Sequence, residues 1–149
     1  MTMPSGKCVI SCWSDTNGEK RVLTASENGV TVAPPGAADE QTFSLIPGPD
    51  GTVAIQIPAL IFPSRSLSYK EPEKGERVIL GPLSDFPTRE WRIEPAPQMP
   101  APTPYFIRVP DKDLILVVSP KAAFPPELEL LPSNRDLENA WAIIPVFQD

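Results

Sequence analysis

Two short patterns recur three times along this 149-residue chain and keep a constant register with each other. One is aromatic-x-aliphatic-x-Pro, with copies 48 and then 50 residues apart that begin at Phe43, Trp91 and Trp141. The other is an aliphatic run ending in proline, also 48 and 50 residues apart, with copies that begin at Val30, Val78 and Leu128. In every copy the aromatic follows the start of the aliphatic run by 13 residues. The chain therefore reads as three copies of one structural unit.

Each unit also holds two further runs that are typical of strands, since they alternate or are rich in Val, Ile, Leu and aromatics between turn residues. These runs are 7–12 and 21–25, 52–57 and 66–70, and 105–109 and 114–119. No stretch combines helical apolar spacing with clean caps; 135–144 comes nearest, but the repeat register assigns its end to a strand. The sequence thus predicts a single domain, 1–149, of four strands in each of three units, approximately 1–48, 49–98 and 99–149.

A unit of about 50 residues with four short strands cannot bury its own apolar face, so the three units must share one core. Closing the strands into a barrel removes the exposed edges that would otherwise aggregate. We therefore predict an all-β fold, the β-trefoil, in which three hairpins cap a six-stranded barrel; a three-bladed propeller or an open sandwich is the alternative. Phe43, Trp91 and Trp141 are expected in the core near the pseudo-three-fold axis, beside Leu45, Ile93 and Ile143.

Composition excludes several functions. The chain has no histidine, which rules out a Ser-His-Asp triad, a Cys-His pair and imidazole-bound zinc. No carboxylate pair or metal-loop spacing replaces them, so we expect no enzyme activity, metal or cofactor. A net charge of −6 disfavours nucleic acid and anionic membranes as partners. No export signal or membrane span is evident, which predicts a soluble, cytoplasmic protein.

The two cysteines, Cys8 and Cys12, lie four residues apart in a strand-like segment. An extended segment separates their Cα atoms by about 13 Å, too far for a disulfide between them. We expect two free thiols on one buried face of the strand.

The opening Pro4–Ile10, the third-strand segment Gly29–Pro35 and the closing Trp-x-Ile strand resemble the mushroom β-trefoil proteins. Among these the chain is most similar to the small fungal protease inhibitors of the cospin, cnispin and mycocypin kind. One departure is Cys8-Val9-Ile10, where the family has Tyr-x-Ile. The resemblance implies a protease inhibitor that inserts a rigid loop into the protease cleft, which limits the ordering cost of binding.

Four residues are candidates for the specificity residue of such a loop. A trypsin-like protease needs a long cation, which Arg135, Lys121 and Arg65 offer, and we rank Arg135 and Lys121 ahead of Arg65. Asn28 lies between the second and third strand-like runs of unit one, in the loop equivalent to that of Lys121 in unit three. It suits an asparaginyl endopeptidase such as legumain. Each also fits an ordinary loop residue, and Asn28-Gly29 is in addition a common hairpin turn.

Carbohydrate binding is the alternative function. The ricin-B-like lectins share the β-trefoil fold, but their Gln-x-Trp signature is met only loosely, by Gln41-Thr42-Phe43. A sugar site needs an aromatic face with polar side chains at hand, and Trp13 followed by Asp15 and Asn17 is the cluster that fits. A turn beside a strand aromatic explains this cluster equally well. An interaction module of another kind is the third possibility.

Overall fold

The computed structural model describes residues 6–13, 21–25, 29–34, 36, 41–57, 65–81, 89–95, 104–119, 126–133 and 139–146. Within these ranges the chain forms twelve strands and one 3-10 turn, Pro49–Gly51. The strands are β1 Gly6–Cys12, β2 Val22–Ala25, β3 Val30–Ala33, β4 Phe43–Pro47, β5 Val53–Gln56, β6 Ser66–Ser68, β7 Ile79–Gly81, β8 Arg92–Pro95, β9 Tyr105–Arg108, β10 Leu114–Val118, β11 Leu128–Pro132 and β12 Trp141–Pro145. Four strands per unit are confirmed, and β4, β8 and β12 end at the repeated prolines, which cannot donate to a strand ladder.

Six of the strands close into a barrel. Antiparallel pairing joins β4 to both β1 and β5, β9 to both β8 and β12, and β12 to β1. The remaining junction, between β5 and β8, is made by Val53 and Trp91, whose backbone groups exchange hydrogen bonds of 2.8 and 2.7 Å. The other six strands form the hairpins β2–β3, β6–β7 and β10–β11. The predicted β-trefoil architecture is confirmed.

The hairpins contact one another in a cycle that follows the pseudo-symmetry. Gly29 of the first hairpin bridges to Ile79 of the second, and Arg77 of the second bridges to Glu129 of the third. The third contact differs in kind, because the Thr31 hydroxyl donates a 2.6 Å hydrogen bond to the carbonyl of Pro126. Residues 31, 79 and 129 therefore occupy equivalent positions in the three units.

The core repeats with the sequence. Phe43, Trp91 and Trp141 are fully buried, as predicted, and Leu45 and Ile93 are buried beside them, whereas Ile143 is only partly buried. The two indole groups donate 3.1 Å hydrogen bonds to equivalent carbonyls, from Trp91 to Leu67 and from Trp141 to Leu116. Each tryptophan thus satisfies a buried acceptor besides filling volume.

Both cysteines are buried and neither forms a disulfide bond, as expected from their spacing. Burial raises the pKa of the Cys8 thiol from 9.0 to about 11, because the surrounding apolar side chains disfavour a thiolate. Cys8 is therefore a small core residue with little nucleophilic character. Within the described ranges, no helix is long and apolar enough to cross a membrane.

Candidate functional site

The third hairpin has a second apolar cluster on the face that points away from the core. Alternation along β10 and β11 turns Leu116 and Leu130 inward and leaves Ile115 and Val117 on the opposite face. That face is covered rather than exposed: Phe106, Ile115, Val117 and Ala140 form a buried group, here called the outer cluster. The outer cluster lies where units one and three meet.

Trp13 packs against the outer cluster from unit one. It directly follows β1, and its backbone N–H donates a 3.1 Å hydrogen bond to the carbonyl of Ala140. The side chain is half-buried, so part of the ring contacts the cluster and part faces solvent. An aromatic side chain that already packs on a buried cluster loses less side-chain freedom when a ligand stacks on it.

Glu129 lies on the same face of the hairpin. It is paired directly with Val117 in the register of β10 and β11, so the two side chains are neighbours on one side of the sheet. Glu129 is only 6% exposed, yet its Oε1 atom accepts no hydrogen bond. Such an oxygen is rare in folded proteins, because an unmet buried acceptor costs about 1–3 kcal/mol. A ligand, ion or water is the usual reason for one.

The equivalent positions in units one and two show that this feature is particular to unit three. Thr31 gives its hydroxyl hydrogen to Pro126, and Ile79 has no polar side-chain atom. The carboxylate of Glu129 also lies close to the surface, since a methyl group on the exposed Gly75 would be 3.9 Å from its Oε2. Gly75 occupies a turn with φ +84°, which favours glycine, so this approach stays free of a side chain.

Sequence reasoning missed Glu129 for a physical reason. Alternation within Leu128-Glu129-Leu130 places the carboxylate on the outward face, where a charged residue normally meets water. Its described neighbours include Gly75 and Arg77, about 50 residues away along the chain, and no local pattern encodes such contacts. A comparison of the three units could have drawn attention to Glu129, because the equivalent positions hold Thr31 and Ile79.

Gln41 of the loose Gln-x-Trp motif is a structural brace. Its Nε2 donates to Thr24 Oγ1 at 3.2 Å and to the Pro34 carbonyl at 2.8 Å, while its Oε1 accepts from the Gly36 N–H at 2.9 Å. Both amide hydrogens are therefore used to hold the segment between β3 and β4 against the first hairpin. Gln41 has no donor left for a ligand.

The residue equivalent to Gln41 in unit two is Arg89, and it performs a similar task with different chemistry. Its guanidinium donates to the carbonyls of Tyr69 and Lys70, at 3.1 and 2.7 Å, and its carbon lies 4.3 Å from the centre of the Tyr69 ring. Burial raises the pKa of the Tyr69 hydroxyl, while the charge of Arg89 lowers it. In unit two, Arg89 therefore replaces the glutamine as the side chain that holds neighbouring backbone in place.

Of the four predicted specificity residues, the structure describes Arg65. It is half-buried and immediately precedes β6, and its carbonyl accepts a 2.9 Å hydrogen bond from the Ile57 N–H. Arg65 thus lies at the start of a strand. Arg135, Lys121 and Asn28 lie outside the described residues, as do Asp15 and Asn17 of the predicted sugar site. These assignments stay predictions.

The two ends of the Lys121 segment are described, and both are fixed. The Ser119 N–H donates a 2.7 Å hydrogen bond to the Glu127 carbonyl, which closes the base of the β10–β11 connection. The Thr31 hydroxyl holds the Pro126 carbonyl from unit one. Residues 120–125 therefore start and finish on anchored backbone.

Comparison with known proteins shows the fold. No protein-family profile matches the chain, and no curated protein sequence matches it. Among solved structures, the Macrolepiota procera ricin B-like lectin in complex with lactose is similar with a TM-score of 0.73 and 15% identity, over 97% of this chain and 99% of the lectin. A mosquitocidal holotoxin is similar with a TM-score of 0.72 and 20% identity, over 97% of this chain and 17% of the toxin.

The designed three-fold symmetric protein ThreeFoil is similar with a TM-score of 0.69 and 13% identity, over 95% of this chain and 99% of the design. These proteins share the β-trefoil fold with this chain, while their identities are too low to carry a function across. Membership of the fungal protease-inhibitor family stays a prediction from the sequence resemblance.

Proposed function

We propose that this protein is a carbohydrate-binding β-trefoil whose ligand lies on the outer face of the third hairpin, between Trp13 and Glu129. The observation that carries the proposal is the unpartnered, buried oxygen of Glu129, whose cross-strand neighbour Val117 belongs to the outer cluster on which Trp13 packs. Aromatic rings stack on the apolar face of a sugar, and carboxylate oxygens accept hydrogen bonds from its hydroxyl groups. The similarity in fold to a lectin bound to lactose supports the proposal.

Asp15 and Asn17 complete the proposed site by sequence. They follow Trp13 by two and four residues in the sequence and lie outside the described residues. Their side chains would supply further acceptors and a donor for hydroxyl groups. The proposed site thus combines one aromatic ring and one buried carboxylate, with Asp15 and Asn17 added from the sequence.

The test is isothermal titration of the purified protein with lactose, together with a glycan array to identify better ligands. Saturable binding is expected, and it should be lost in Trp13→Ala and in Glu129→Ile. The matched control is Glu127→Gln, which changes a carboxylate two residues away that pairs with Arg77 at 3.8 Å. Circular dichroism melts verify that each variant is folded. Binding to no glycan, or binding that Glu129→Ile and Trp13→Ala both retain, would contradict the proposal.

Protease inhibition is the second candidate, and the anchored ends of residues 120–125 favour it. Pro120 and Pro125 border this segment and reduce the entropy that a loop loses on binding. Lys121 is then the residue that enters the specificity pocket of a trypsin-like protease. Arg135, in the segment before β12, is the alternative.

Residual activity of trypsin, chymotrypsin, subtilisin, papain and legumain tests this candidate directly. Inhibition of trypsin that disappears in Lys121→Glu and persists in Arg135→Glu and Arg65→Glu would assign the Lys121 segment. Inhibition of legumain that disappears in Asn28→Gln would assign the unit-one loop instead. Full activity of all five enzymes at micromolar protein would reject inhibition.

A further inference from the structure

The third hairpin is held to its two neighbours by different kinds of hydrogen bond. Where it meets the second hairpin, three backbone hydrogen bonds of 2.6 to 2.9 Å run from Gly75 to Leu130, from Leu130 to Glu76 and from Val78 to Leu128. Where it meets the first hairpin, no backbone hydrogen bond joins the described residues, and the Thr31 hydroxyl donates to the Pro126 carbonyl instead. A side chain therefore makes a contact that backbone groups make at the other junction.

The two junctions use the same carbonyl position with different donors. Counted from the start of the aliphatic run, Pro126 in unit three is equivalent to Glu76 in unit two. The Glu76 carbonyl accepts a 2.9 Å hydrogen bond from the backbone N–H of Leu130, whereas the Pro126 carbonyl accepts one of 2.6 Å from the Thr31 side chain. The other oxygen near this hydroxyl, the carbonyl of Val32, is 3.5 Å away, so the single hydroxyl hydrogen is committed to Pro126. Removal of one hydroxyl group would therefore release this carbonyl.

The Pro126 carbonyl lies directly after the 120–125 segment. The other end of the segment follows Ser119, whose N–H bonds to the Glu127 carbonyl at 2.7 Å. Lys121 is the one Lys or Arg within 120–125. A protease cuts a folded protein in conformers whose chain has opened around the scissile bond, so the rate follows the population of the open form. Hydrogen bonds at the two ends of the segment lower that population.

We infer that Thr31 is a positioning residue for the 120–125 segment, and that its hydroxyl protects the Lys121–Ala122 bond from cleavage by trypsin-like proteases. The hydroxyl acts from unit one on unit three, across 95 positions of the chain. The inference does not depend on carbohydrate binding. It adds a residue to the second candidate function, because an inhibitor must withstand the protease whose cleft it occupies.

The test measures how fast trypsin cuts the folded protein after Lys121, with the fragments 1–121 and 122–149 identified by mass spectrometry. Trypsin is kept in the range where the rate is proportional to its concentration, so that the rate reports the open population. Thr31→Val keeps the β-branched shape and removes the hydrogen bond, so cleavage should be about threefold to tenfold faster. Thr31→Ser keeps the hydroxyl and should be cut at close to the wild-type rate.

Thr52→Val is the matched control, because it removes a threonine hydroxyl that donates to another proline carbonyl, that of Pro49, at 2.7 Å. This bond lies in the connection between β4 and β5, so its loss should leave the rate of cleavage after Lys121 unchanged. Circular dichroism melts verify that each variant is folded at the assay temperature. If Thr31→Val does not fold, Thr31→Ala takes its place in the comparison.

The outcomes separate a local role of Thr31 from a general loss of stability. Equal rates in the wild type and Thr31→Val overturn the inference. An equal acceleration in Thr52→Val also overturns it, since the chain would then be opening globally. A rate in Thr31→Ser as fast as in Thr31→Val assigns the effect to packing and overturns it as well. Full trypsin activity on a small substrate, beside a faster cut in Thr31→Val alone, rejects protease inhibition and keeps the role of Thr31.

Discussion

The Glu129→Ile substitution replaces a buried, unpartnered carboxylate with the residue that unit two already has at the equivalent position, Ile79. A buried acceptor without a partner costs about 1–3 kcal/mol, and a β-branched aliphatic side chain suits a strand in an apolar cluster. Isoleucine is shorter than glutamate, so it does not approach Gly75 more closely. We therefore expect the free energy of unfolding to rise by about 1–3 kcal/mol.

For a chain of this length, each kcal/mol shifts the melting temperature by about 2–4 °C, so the variant should melt roughly 2–12 °C higher. Differential scanning calorimetry and urea unfolding measure the two quantities independently. Glu127→Ile is the matched control, since the Glu127 side chain is partly exposed and ion-paired, and its replacement should change stability by less than about 0.5 kcal/mol.

A lower melting temperature for Glu129→Ile would refute the reasoning, because it would mean that the carboxylate is satisfied in solution. An equal rise in both variants would also refute it, since the gain would then come from the added apolar side chain and not from the removal of a buried acceptor. The expected combination is higher stability with lost glycan binding. Functional sites commonly show this opposition, because a ligand-binding group is left unsatisfied until the ligand arrives.

Two further predictions concern the core. Trp91→Phe should lower the free energy of unfolding in urea by about 2–4 kcal/mol, because the Leu67 carbonyl loses its buried donor and the ring shrinks; a loss below about 0.5 kcal/mol would contradict the role of this hydrogen bond. The raised pKa of Cys8 stabilises the fold below pH 9, and that contribution is lost as the pH rises from 9.0 to about 11, because the unfolded thiol ionises first. Over that interval the wild type should lose about 2 kcal/mol more stability than Cys8→Ala does, and parallel pH profiles would contradict this prediction.

Much of the fold was predictable because it repeats. The constant register between the aliphatic run and the aromatic defines the unit, and the shared positions of Phe43, Trp91 and Trp141 identify the core. The strand ends follow from the prolines, which have no N–H to donate. Three repeated copies of a local signal are far more informative than one.

The candidate site was less predictable, because distant segments build it. Trp13 could be named from the sequence as an aromatic beside a polar turn, but its packing on the outer cluster depends on units one and three meeting. Glu129 looks like an ordinary outward-facing charge until the fold buries it. The hydrogen bond from the Thr31 hydroxyl to the Pro126 carbonyl joins residues 95 positions apart, and no local sequence pattern predicts it.

Carbohydrate binding at Trp13 is best tested by intrinsic fluorescence. All three tryptophans lie in the described ranges, where Trp91 and Trp141 are 0% and 2% exposed, while Trp13 is half-buried. A bound sugar should therefore change the emission of Trp13 and leave the other two indoles unaffected. Titration with lactose is predicted to give a saturable change in the wild type that is absent in Trp13→Phe. An unchanged wild-type spectrum up to millimolar sugar, or an equal change in Trp13→Phe, would contradict the account.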